Sequence, residues 1–326
     1  MKAKLLLLIV VSVFMSEVSV GQHTIISNYP AQFSFVYPIG INGRSSVDFC
    51  YYFSLNALNG HTGGIEGCEI GGLFNVNETS MTGFQVAGLG NVTKENVVGM
   101  QTGGLFCFSD SMTGFQLSGI YNKAAEMKGV QIAGIYNQTT VQHGLQIGLV
   151  NVADSVEKGV SIGLIYWVKK GSFHEWTVSV SDYQNIALSY KLGRKSFYNI
   201  YSAGVNFLSD FLWVGGLGFG HLSPLGPNFS FQPELICYTY FPSNFSRNTR
   251  DTYITHLKFG FVSNVNENLS ISFAPSVYWS LKSNRGIYDE YGYNQSVINP
   301  LYEFETWDSN SKLGIGYGLS VGLGFK

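Results

Sequence analysis

The sequence predicts an all-β chain in two parts: short-period β repeats, then an antiparallel barrel of about eight strands. Three observations carry this. A short phrase recurs every 15 or 16 residues through the first half. Long segments of the second half alternate large apolar residues with small or polar ones. Charged residues make up only 12% of the chain while aromatics make up 15%. That is about half the usual charged share, and it suits strands that face lipid.

The first residues read as an export signal over 1–21. Lys2 and Lys4 precede an apolar run, Leu5 to Met15, and the small residues Ser19 and Gly21 precede a cut ahead of Gln22. The run is too short for a spanning helix. No later apolar run reaches about 18 residues, so helical spans are not expected. A net charge of −2 gives no reason to expect a nucleic-acid partner. Cys50, Cys68, Cys107 and Cys237 could pair in an exported chain, but their spacing matches no zinc or redox motif. They read as small buried apolar residues.

Residues 22–62 read as a β-hairpin. Phe33, Phe35 and Tyr37 alternate with polar or small partners, as do Val47, Phe49, Tyr51, Phe53 and Leu55. Asn42-Gly43 between the two runs marks a turn.

Residues 63–170 hold the repeats. Copies begin at Gly67, Gly83, Gly99, Gly114, Gly129, Gly144 and Gly159. The consensus is G-Φ-Q-Φ-x-G-Φ-x-N (Φ, apolar), one residue shorter in the last two copies. The Gln slot holds Gln85, Gln101, Gln116, Gln131 and Gln146, and the Asn slot holds Asn75, Asn91, Asn122, Asn137 and Asn151. Cys107 takes the Asn slot of the third copy. An apolar residue lies two places ahead of most copies (Met81, Val97, Met112, Met127) and three places ahead of the last two (Val141, Val156). A fixed short period indicates a repeat architecture. If each copy is one coil, amides stack into ladders, with glycine at corners such as Gly134 that need positive φ. If each copy is one strand, the repeats join one larger barrel. Strict alternation, which a membrane strand needs, breaks inside the copies: Val130 and Ile132 share a face but Ile135 does not. Antiparallel strands would also put successive Gln residues at opposite ends. The solenoid-like stack is therefore favoured.

Residues 171–326 read as the barrel, with strands near 173–181, 185–192, 197–208, 211–221, 229–241, 252–263, 268–281 and 311–325. In the last, Leu313, Ile315, Tyr317, Leu319, Val321, Leu323 and Phe325 face one way and glycines with Ser320 face the other. A soluble sandwich also alternates. Strands of this length are long for one, where about 5–6 residues is usual. A short turn at 264–268 and a long connection over 282–310 fit an outer-membrane barrel.

With these residues in view, "FVYPIGINGRSS", the "GVQIAGIYN" copies and "VKKGSFHEWTVSVSDYQNIALSYKLGRKSFYNIYSAG" together resemble the surface-repeat family of Gram-negative outer-membrane proteins. The resemblance implies an envelope location and a β-rich fold. It supplies no catalytic residues.

Chemical motifs are sparse. Gly318-Leu319-Ser320-Val321-Gly322 spells G-x-S-x-G, but a hydrolase elbow needs strand, turn and helix, and Ser320 falls mid-strand. The six histidines lack metal-ligand spacing; His256 shares a lumen face with Lys258. The glycines of 215–220 lack the Lys and helix of a phosphate loop. No catalytic, cofactor or metal residues are expected. Tyr288, Tyr291, Tyr293 and Trp307, in the long connection, are the residues suited to binding a surface ligand.

The expectation is a non-enzymatic outer-membrane or cell-surface protein, anchored in membrane lipid by its barrel and presenting an amide-rich repeat face. A passive channel is the alternative, and an envelope hydrolase acting at Ser320 a remote one. Ligand and oligomeric state are not encoded in these patterns.

Overall fold

A computed structural model describes residues 25, 27–207, 211–242, 252–283, 301–305 and 311–326. The expected export signal over 1–21, and Tyr288, Tyr291, Tyr293 and Trp307, lie outside the described residues. The chain divides after Gly119 into two compact units.

In the first unit the strands are β1 (Ser27–Val36), β2 (Phe49–Thr62), β3 (Gly64–Gly71), β4 (Phe74–Asn77), β5 (Met81–Ala87), β6 (Gly90–Gly103) and β7 (Phe106–Ser118). Their pairings are parallel and match repeat to repeat. Gly67 stands against Gly83, Gly83 against Gly99 and Gly99 against Gly114; Glu69, Gln85, Gln101 and Gln116 align likewise. A coil has a short arm, such as β4, and a long arm, such as β5. In β6 the two arms run together, pairing with β4 and then β5. The extra residue of a 16-residue copy is taken up in the polar turn, where the β6–β7 register shifts between Thr93 and Asn96.

The hairpin expected over 22–62 is corrected. β1 pairs parallel with β2. The Asn42-Gly43 turn, with Gly43 at φ 54°, leads into a 3₁₀ helix, Gly43–Asp48, that carries the chain back before β2 begins. β2 already behaves as a coil, because Ser54 pairs with Glu69 in the Gln slot.

The second unit opens with four more stacked strands: β8 (Tyr121–Ala133), β9 (Tyr136–Ile147), β10 (Val150–Ile162) and β11 (Ile165–Lys170). They too are parallel and in register, with Asn122, Asn137 and Asn151 aligned. The Gly144 copy is one residue short. The β9–β10 register shifts after Gln142, leaving Glu157 as the extra residue that restores the phase. Gln142, not Val141, stands against Met127 in the unshifted β8–β9 register, and the extra Glu157 brings Val156 opposite it.

The barrel follows: β12 (Phe173–Ser181), β13 (Ile186–Arg194), β14 (Phe197–Asn206), β15 (Leu212–Gly220), β16 (Phe229–Pro242), β17 (Thr252–Asn264), β18 (Leu269–Ser283) and β19 (Ser311–Phe325). All neighbours are antiparallel, and β19 pairs back on β12 with Trp176 against Phe325, which closes the ring at eight strands. This excludes a single larger barrel that includes the repeats. β14 and β15, at 10 and 9 residues, are shorter than the alternation suggests. Outward residues such as Trp176, Trp213, Phe261, Trp279 and Val321 are exposed, while Tyr198, Tyr238, Tyr278 and Ile254 fill the lumen. Glycine opposite each ring makes room for it. A Cβ at Gly220 would lie 2.6 Å from the Tyr198 ring, and one at Gly316 would lie 2.4 Å from that of Tyr278.

Candidate functional site: amide ladders and a filled lumen

The residues predicted to form ladders do so, and all are buried. Gln101 Nε2 donates to Gln85 Oε1 (2.9 Å) and Gln116 Nε2 to Gln101 Oε1 (2.9 Å). In the second unit Gln146 Nε2 donates to Gln131 Oε1 (2.8 Å). Each amide gives one proton to the coil before it, so a ladder needs a pure acceptor at its start. Glu69 occupies that place. Its two oxygens accept from Gln85 (2.7 Å), Asn77 (2.9 Å), Ser54 (3.1 Å) and Asn56 (3.1 Å). Burial pushes the Glu69 carboxyl above its ordinary range, and these four bonds pull it part of the way back. In the second unit Gln146 is capped by Ser161, whose Oγ donates to Gln146 Oε1 (3.1 Å).

The Asn ladder works similarly and also ties the corner. Asn75 Nδ2 donates to Asn91 Oδ1 (3.0 Å) and to Val86 O (2.8 Å). Asn137 Nδ2 donates to Asn151 Oδ1 (2.9 Å) and to Ile147 O (2.7 Å). Cys107 interrupts the ladder. Asn91 Nδ2 reaches only its sulfur, at 3.7 Å, a weaker acceptor than an amide oxygen. Burial pushes the Cys107 thiol up to about 12 and the Cys50 thiol up to about 11, so neither is poised to react. All four cysteines are free. Cys50 and Cys107 are buried as expected, but Cys68 is half-buried and Cys237 is exposed.

A third polar column escaped the sequence reading. Two places after the Asn slot, Asn77 and Thr93 point inward. Thr93 Oγ1 donates to Asn77 Oδ1 (3.0 Å), and Gln85 Nε2 donates to the same oxygen (2.6 Å). The signal was there in Asn77, Thr93, Ser109 and Thr139, small polar residues at one phase. Below the Gln ladder runs an apolar column, Met81, Val97 and Met112 in the first unit and Met127 in the second, fully buried. Gln142 breaks it, with its amide N–H groups donating to Gly144 O (3.0 Å) and Val160 O (3.1 Å).

The two glycines of the repeat serve different ends. Positive φ falls on the first one (Gly99 at 129°, Gly129 at 126°); the chain does turn at Gly134, between Ala133 and Tyr136, but without the positive φ expected there. The second glycine is needed for approach, since a Cβ at Gly104 would lie 2.0 Å from Gly88 O.

Because the amides point in, the amide-rich outer face expected from the sequence is also corrected. The outside of the corner is aliphatic: Leu73 in the first unit and Ile120, Ile135, Leu149 and Leu164 in the second are all exposed. Charges gather in the opposite turn. There Glu78 meets His61 (2.6 Å) and Lys94 (2.7 Å), and these partners, His61 foremost, hold its carboxyl down at about 2.

In the lumen Lys191 Nζ sits 3.0 Å from both Glu175 and Glu234 and 3.1 Å from Gln232 Oε1. Tyr198 donates to Glu234 (3.1 Å). Lys258 lies over the rings of Tyr183 and Tyr238, and His256 is packed among Tyr183, Tyr238 and Tyr278. Ser320 lies within β19, and its Oγ donates to Ala274 O (3.3 Å), so its motif lacks the turn and helix of an elbow. Among the described residues no group of His, Cys, Asp or Glu could hold a metal ion.

No family model, curated protein or solved structure matches the chain.

Proposed function

We propose that this is a non-enzymatic outer-membrane or cell-surface protein, anchored by its barrel, whose repeats form a stiff structural element. One observation carries the reading: the closed eight-strand barrel turns aromatic and aliphatic side chains outward and polar ones inward. In water that arrangement leaves a large apolar surface unburied, whereas in a bilayer it is the favourable one. Membrane fractionation tests it. Recovery in the outer membrane, released by detergent alone, is expected; recovery as soluble protein without detergent would overturn it.

The filled lumen does not favour the passive-channel reading. It required the repeats to widen the wall, and an eight-strand lumen is filled by side chains. Lys191, Glu175, Glu234, Tyr198 and Tyr238 fill this one. Planar-bilayer recordings without stable single-channel steps are the expected outcome.

A further inference from the structure

The second unit carries a ridge with no role in the reading above. Ile120, Ile135, Leu149 and Leu164 stack at successive corners, 44%, 49%, 49% and 44% exposed. The segments on either side of it, 129–137, 144–151 and 159–166, contain no Asp, Glu, Lys or Arg. The charges of these coils fall elsewhere, at Lys123, Glu126, Lys128, Asp154, Glu157, Lys158, Lys169 and Lys170. An apolar ridge in a protein poor in charge would be a liability in water.

Two features say what covers it. First, its backbone is paired. Tyr136 N donates to Ile120 O (2.8 Å), Val150 N to Ile135 O (2.8 Å) and Ile165 N to Leu149 O (2.9 Å). Corners are usually where main-chain groups turn to water. Here they are satisfied coil to coil, which is what hydrocarbon demands of any backbone it touches. Second, the ridge is fastened to the outside of the barrel. Leu164 O accepts from Asn199 Nδ2 (3.1 Å) and from the Tyr201 hydroxyl. Asn199 and Tyr201 belong to the outward set of β14, alternating with buried Tyr198, Ile200 and Ser202. The aliphatic ridge is thus continuous with the apolar exterior of the barrel.

We infer that the ridge at Ile120, Ile135, Leu149 and Leu164 binds the acyl chains of the bilayer that holds the barrel, with the charged turns of the same coils in water. The inference rests on the envelope reading above. On this view the coils brace the barrel at the membrane surface rather than project as a hydrophilic display.

Tryptophan quenching in proteoliposomes tests it. Two variants of the full chain, Ile135→Trp and Lys128→Trp, are reconstituted in phosphatidylcholine with either plain or dibrominated acyl chains. The emission added by Ile135→Trp should be blue-shifted, lost in brominated lipid and untouched by aqueous iodide. That added by Lys128→Trp should be lost to iodide and survive brominated lipid. Quenching of Ile135→Trp by iodide would overturn the inference. So would protection from both quenchers, the signature of a second copy or another protein on the ridge. The unsubstituted protein separates the two readings, because Trp176, Trp213 and Trp279 lie on the barrel exterior. If brominated lipid leaves their emission intact, the envelope reading fails. If it quenches them but not Ile135→Trp, only the ridge inference fails.

Discussion

The repeat coils and the barrel solve one problem in two ways. Both bury polar side chains beside apolar ones while turning other apolar ones out. In the coils each strand is a translated copy of the last, so a residue type need only bond to itself. Gln101 both donates to Gln85 and accepts from Gln116 with the same geometry. In the barrel, antiparallel neighbours destroy that translation, and each inward group needs its own partner. Lys191 is matched by Glu175, Glu234 and Gln232, drawn from other strands. Translation makes polar burial cheap to encode, but it requires special ends. In the first unit Glu69, which only accepts, starts the Gln ladder, and in the second Ser161 caps Gln146.

The comparison predicts that the barrel is the more brittle of the two. Lys191→Met removes one cation from between two buried carboxylates. Breaking such a cluster costs about 3–5 kcal/mol. Urea titration of the protein in detergent should show a loss of that size; a loss near zero would mean the lumen is wet enough to screen the charges. In the coils the largest effect belongs to backbone. Gly99→Val forces a branched residue to φ 129° with its Cβ about 2.0 Å from Gly83 O. Strain alone costs about 1–3 kcal/mol, so this variant should unfold at clearly lower urea than the parent. Gln101→Leu comes next. It removes an acceptor from Gln116 and a donor from Gln85, costing about 1–3 kcal/mol. An effect within experimental error would place the amides in solvent.

The smallest effect sharpens the account of the ladder's end. The Glu69 carboxyl is raised by burial, so the folded state holds its proton more tightly than the unfolded chain does. Its contribution is therefore full below the unfolded carboxyl range, near about 4, and is lost as pH rises through the folded value. Glu69→Gln removes this slope. Stability profiles of the two proteins should converge in acid and separate toward neutral pH, with the variant the less pH-dependent.

Much of this was legible in the sequence. The broken alternation within each copy, Val130 and Ile132 against Ile135, argued for corners, and corners imply coils. The even spacing of Gln placed the ladder. Barrel strands could be bounded because β18 and β19 alternate without a fault. What could not be read has physical causes. The parallel pairing of β1 with β2 depends on a six-residue 3₁₀ helix, too short to leave a periodicity. Val156 joins the column opposite Gln142, although it lies three places before its glycine, only because Glu157 is an extra residue in that coil. Alternation alone does not say which side of a coil is inside, so the amides were assigned to the wrong surface. The Lys191 cluster joins residues far apart in sequence and leaves no local signature.

The central claim is that successive repeats lie side by side, parallel and in register. A single substitution tests it most directly, because a native thiol already occupies one position of the column. Cys68 stands against Phe84 in the register. Parallel neighbours lie about 4.8 Å apart, within the Cα range that a disulfide spans. Phe84→Cys should therefore form a bridge to Cys68 under mild oxidation, identified by peptide mass mapping of the folded protein. If the protein folds and both thiols stay unlinked, the repeats do not stack in this register and the account is wrong.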